Sequence, residues 1–147
     1  MRRKDVLLVL LSTRNGKAFS PVQIQKALFL LTEKVPEIFG TNPKYKFKPY
    51  DYGPFSKEIY DDLDGLSTEG LITISRQPGK HWKTFTIAEN GRPQAETLMQ
   101  SLSERHHNYI SEVAKFVSKH SFTDLVSAIY REYPEMRANS IFVEQNE

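Results

Sequence analysis

Asp61, Asp62 and Asp64 fall within one helical turn, and carboxylates that close could hold a hard divalent cation. Adjacent residues on a helix point about 100° apart, so Asp61 and Asp62 diverge, and Asp61 shares a face with Asp64 alone. With no third ligand, the pattern predicts a solvated acidic face. His106 and His107 are adjacent and diverge in the same way, while His81 and His120 stand alone. The chain has no H-E-x-x-H, G-x-S-x-G, G-x-x-x-x-G-K or G-x-G-x-x-G motif, so the common routes to zinc hydrolysis, acyl transfer and nucleotide binding lack their residues. Without cysteine there is neither a disulfide nor a thiolate metal site. The expectation is a protein without catalytic residues, metal or cofactor.

Binding chemistry is better represented. In KYKFKPYDYGP, Lys44, Lys46 and Lys48 alternate with Tyr45 and Phe47. Rings can stack on bases while lysines neutralise phosphate. Strict alternation, however, puts the two sets on opposite faces of a strand, which equally describes rings in a core and lysines in water. In RQPGKHWK, Arg76, Lys80, His81 and Lys83 surround the only tryptophan, Trp82, next to a Pro-Gly turn. A loop of this content can lie on phosphates, an exposed Trp82 can anchor a protein partner, or the ring can fold back on the sheet.

The elements that must position these residues follow from periodicity. Residues 4–13 carry Val6, Leu7, Leu10 and Leu11 at helical spacing, predicting an amphipathic helix. Ser20, Pro21 and Gln23 form the start of a second helix with a capping box, and Ile24, Ala27, Leu28 and Leu31 line its face, broadened by Phe29 and Leu30. The alternating stretch 44–52 predicts a half-buried strand. Gly53-Pro54 is expected to open a third helix with Phe55, Ile59, Leu63 and Leu66 inward; Gly65 would cost it about 1 kcal/mol and kink or end it there. Tyr50, Tyr52 and Tyr60 should pack around its start, and Gly70 should stop it. Residues 71–74 and 84–88 read as a hairpin. Helices are predicted over 92–103, around Ile110–Val117 and around Leu125–Tyr133, the last entered at Ser121 and ended by Pro134.

Three helices on a small antiparallel sheet with a long hairpin loop predict an α+β fold: a winged helix-turn-helix core over residues 1–91 and a C-terminal helical extension over 92–147 packed on the same domain. At 147 residues, 39% hydrophobic and 26% charged, the chain is long enough to bury a core unaided and reads as neither disordered nor membrane-spanning. The apolar runs Val6–Leu11 and Ala27–Leu31 are short, and the basic start MRRKD lacks the pattern of a signal peptide. A soluble cytoplasmic protein is expected.

The net charge of +2 conceals a strong pattern. Residues 1–48 hold ten Lys/Arg against three acids, whereas residues 49–70 hold one Lys against six. The third helix, the position from which a helix-turn-helix reads bases, therefore carries Glu58, Asp61, Asp62 and Asp64. Carboxylates in a major groove are repulsive, so DNA contact is expected through Arg2, Arg3, Lys4, Arg76, Lys80, His81 and Lys83. Alternatively, the acidic residues Glu58, Asp61, Asp62 and Asp64 meet a basic protein, with Trp82 as an anchor. The apolar residues Ile110, Val113, Val117, Leu125, Val126 and Ile129 either close a homodimer or pack within the chain.

The stretches IQKALFLL, YDYGPFSKEIYDDLDGLSTEGLI, FTIAENG and IYREYPEMRANS resemble the YwgA-like winged-helix family of small bacterial and phage proteins. More distantly they are similar to the Panacea (SocA-like antitoxin) domain. The resemblance spans roughly residues 20–140 and is sharpest in YGPFSKEIYDDL. It implies a regulatory, toxin-neutralising or phage–host conflict role without catalysis.

Overall fold

The computed structural model describes residues 1–142 except Gln77 and Lys80. Its fold is α+β. Helix α1 (Arg3–Ser12) lies at the centre of the molecule: Val6, Leu7, Leu8, Val9, Leu10 and Leu11 are all fully buried. The expected amphipathic helix is thus corrected. Six consecutive apolar residues leave no polar stripe, and a helix apolar all round must be enclosed. It is packed against by α3 (Lys57–Thr68), β4 (Lys83–Ile87), α4 (Arg92–Ser101) and α5 (Glu104–Lys119).

Helix α2 (Pro21–Lys34) begins with the predicted capping box. The Gln23 N–H donates to Ser20 Oγ at 3.2 Å, and the Ser20 N–H donates to Gln23 Oε1 at 2.9 Å. It crosses the core and is buried from Ile24 to Leu31, Gln25 and Lys26 included. A 3-10 turn follows at Pro36–Phe39.

The predicted strand over 44–52 is shorter than expected. Only β1 (Lys48–Tyr50) pairs, with β2 (Gly53–Phe55) in an antiparallel hairpin. Gly53-Pro54 therefore belongs to a strand and does not open the third helix, whose N-cap is Ser56. Gly53 has φ +100°, a conformation glycine adopts at little cost, and this closes the turn. Along 44–48 the alternation of burial holds: Tyr45 is buried, Phe47 packs edge-to-face on Phe29, and Lys46 and Lys48 are exposed. Helix α3 runs through Gly65 without a break and stops at Gly70, φ +76°. There the Leu71 N–H donates to Leu66 O and the Gly70 N–H to Ser67 O, a Schellman closure.

Strands β3 (Ile72–Arg76) and β4 pair from Ile72 opposite Ile87 to Arg76 opposite Lys83. Phe19, between α1 and α2, adds one bridge on the other edge of β4 through reciprocal bonds to Phe85 of 2.9 and 3.0 Å. A 3-10 turn at Glu89–Gly91 leads into α4, followed by α5 and α6 (Phe122–Glu132). Ile110, Val113 and Val117 of α5 and Leu125, Val126 and Ile129 of α6 are buried within this chain. The apolar surface that would have closed a homodimer is the molecule's own core. One apolar cluster joins residues from α1 through α6, so residues 92–142 complete the core begun by residues 1–91. No helix among the described residues is long and apolar enough to cross a membrane.

Candidate functional site

The charged residues singled out by the sequence separate into two groups. At the N-terminus, Arg2 is held by Asp5, with Nε–Oδ2 3.1 Å and Nη2–Oδ1 3.3 Å. Arg3 donates from Nη1 to Glu58 at 2.5 Å, lies 3.1 Å from Asp62 through Nε, and places its guanidinium 5.1 Å from the centre of the Tyr45 ring. Lys4 rests on α3, its Nζ 2.8 Å from where a Cβ at Gly65 would stand. Two of the three N-terminal cations thus lie on the acidic helix.

Asp62 departs from the expected solvated face. It is only 7% exposed and accepts a 2.7 Å bond from the Tyr45 hydroxyl. Burial and the Asp62 carboxylate push the Tyr45 phenol far up, so it stays a donor. A carboxylate can be buried here because Tyr45 and Arg3 replace the water it loses. Asp61 and Asp64 remain exposed. Among the described residues, no three or more His, Asp or Glu side chains are placed to hold one metal ion.

The second group is the β3–β4 hairpin. Arg76 and Lys83 stand directly opposite each other at its outer end, both exposed, and neither makes an ion pair with the described residues. Residues 72–87 contain no Asp or Glu. Like charges facing across a ladder repel unless an anion lies between or over them. His81 is exposed, and Trp82 is 46% exposed. Lys80 lies outside the described residues.

Sequence reasoning missed a third constellation. Gln25 of α2 makes two bonds to the backbone of Ser56, donating from Nε2 to its carbonyl and accepting its N–H at Oε1, both 2.9 Å. The next residue, Lys26, donates from Nζ to Pro54 O at 3.1 Å. The segments IQKALFLL and YDYGPFS, far apart in the chain, are therefore pinned side by side, and an open groove of about 200 Å³ lies at their junction. The available signal was two polar residues in register with the buried positions of an otherwise apolar helix, which must find partners when buried. Tyr50, Phe55 and Tyr60 pack in succession, with centroids 5.0 and 5.8 Å apart. Tyr52 turns instead to Phe122 of α6, 5.1 Å away.

No protein-family model matches the sequence, and no curated protein matches it either. The functional reading therefore rests on the residues.

Proposed function

We propose that this chain is a non-enzymatic, cytoplasmic regulatory module of winged-helix type that lies on the phosphates of duplex nucleic acid through the β3–β4 hairpin. The observation that carries the reading is the facing pair Arg76 and Lys83 on an acid-free hairpin with an exposed Trp82. The order of elements, helices α1, α2 and α3 followed by the two-stranded β3–β4 hairpin with a single bridge from Phe19, supports it. Resemblance to YwgA-like and Panacea proteins implies a regulatory, toxin-neutralising or phage–host conflict role without catalysis, which suits this reading and the second one below alike. Helix α3 does not enter a groove in this scheme, because Asp61 and Asp64 face solvent there and would meet phosphate. Arg3 serves α3, so the hairpin supplies most of the attraction, and contacts of that kind position a protein without reading bases.

A gel shift with random duplex DNA tests this. Binding at low salt should fall steeply by physiological salt, and Arg76→Glu with Lys83→Glu should abolish it. The milder Arg76→Gln with Lys83→Gln, which removes two phosphate contacts without reversing charge, should weaken binding and flatten the log–log salt dependence by about two units. No shift at low salt, or an unchanged shift with the double variant, would reject the reading.

A second reading is favoured by Asp61 and Asp64, which stay exposed one turn apart while Asp62 is withdrawn. In it, the pair meets a basic protein in the manner of an antitoxin. Asp61→Lys with Asp64→Lys should then destroy that complex and leave the gel shift and folding intact.

A further inference from the structure

The groove between the start of α2 and the β1–β2 turn has Lys26 as a buried cation, with Val22, Tyr50, Tyr52, Phe55 and Tyr60 among its walls. Lys26 is 3% exposed. An ammonium carries three donor protons, and among the described residues its hydrogen-bond partner is one carbonyl, Pro54 O. No carboxylate among the described residues lies within ion-pair distance of it. A buried charge without a counter-charge is costly, and here burial brings the Lys26 ammonium down to about 7. The nearby N-terminus of α2 adds positive potential of its own.

The rim is aromatic and exposed. Tyr50 is 52% and Tyr52 40% exposed, and the edge-to-face contact of Tyr52 with the exposed Phe122 extends the surface beyond the groove. Clustered exposed rings beside a pocket are what a protein partner's side chain anchors on. The titratable groups facing the groove are Tyr50, Tyr52, Tyr60, Asp51 and Lys26, with Tyr130 of α6 packed against Gly53 beside it. Asp51 is the one acid among them, and it offsets part of the positive field of Lys26 and the α2 N-terminus. A single carboxylate fits this field, whereas a run of phosphates does not.

We propose that the groove docks a peptide segment of another protein, bearing one acidic side chain next to an aromatic one, with Lys26 as counter-charge to the acid. This surface is separate from the hairpin, so it stands or falls independently of the nucleic-acid reading.

The full chain would be titrated with acetyl-Ser-Trp-Glu-Ser-amide and with the Gln isostere, followed by amide NMR shifts and calorimetry. The Glu peptide should bind about tenfold more tightly, the worth of one charge-assisted hydrogen bond. Shifts should centre on Val22, Lys26 and residues 50–55, and affinity should weaken between about pH 6 and pH 8.5 as Lys26 loses its proton. Lys26→Met should erase the preference for Glu while the spectrum stays dispersed. Should that variant not fold, Tyr52→Ala on the rim should weaken both peptides alike. Equal affinity for Glu and Gln peptides, no binding at millimolar concentration, or wild-type binding by Tyr52→Ala would each overturn the proposal.

Discussion

Lys26 occupies a position whose helical neighbours, Ile24, Ala27, Leu28 and Phe29, are all core residues. Its burial has a consequence for stability whose sign is determined by linkage. The lysine holds its proton up to about pH 7 in the folded chain and to its ordinary 10.5 when unfolded. Between these values the unfolded state binds the extra proton, so stability rises with pH through that window and is flat below it. Near pH 10 the tyrosines raised by burial, Tyr45, Tyr60 and Tyr133, begin to oppose the trend, because the unfolded chain releases their protons first. Urea unfolding should therefore show a midpoint that climbs from about pH 7 to pH 9.5. Lys26→Met should remove the climb and exceed the wild type at pH 7, since its thioether side chain has no charge to desolvate. A wild-type midpoint that does not rise would mean the ammonium is solvated. The residue types were legible in the sequence, but their pairings were not. Asp62 and Asp61 look alike in a string, and it is the rotation of α3 that puts the first against Tyr45 and Arg3 and the second in water.

At the scale of elements, local signals decided most boundaries. Ser20-Pro21-Gln23 and Gly70 act within their own turns, and both ends form as their chemistry requires. Over 44–55 the two-residue period describes which side chains are buried, whereas a ladder needs a partner. Residues 44–47 have the period without a partner strand. Gly91, which the sequence marks only as the position before the helix over 92–103, is held by packing. In the structure a Cβ there would stand 2.1 Å from the Leu71 carbonyl oxygen, which accepts the Ala88 N–H at 3.0 Å. Gly91→Ala should therefore displace the entry to α4 and cost more than about 2 kcal/mol in chemical denaturation. Gly91 has φ −83° and ψ −20°, ordinary values that strain no alanine backbone, so the loss would come from packing alone. A loss under about 0.5 kcal/mol would show that packing at Gly91 is unimportant.

For the whole molecule, the segregation of charge along the chain is partly annulled in space. The basic N-terminus folds onto the acidic helix through Arg3 and Glu58, which leaves the hairpin as the more distinctive cationic feature. The division at residue 91 is likewise a division of sequence and not of packing. Helix α1 packs on α4, and α2 on α5, so a chain ending at residue 91 would expose Val6–Leu11 and Ile24–Leu31 to water. Such a fragment should lack a cooperative thermal transition and aggregate in size-exclusion chromatography, whereas a cooperative, monomeric fragment would restore a self-sufficient first domain. The sequence by itself determined the α+β class, the order of the helices and the hairpin with its cations, because helix periods, caps and turn residues act over a few positions. Only the tertiary structure decided that α1 is enclosed, that Asp62 and Lys26 are buried, and that the apolar faces of α5 and α6 are spent within the chain. Burial and charge pairing depend on which distant segments come together, and residues such as Gln25 and Ser56 do not record one another in the string.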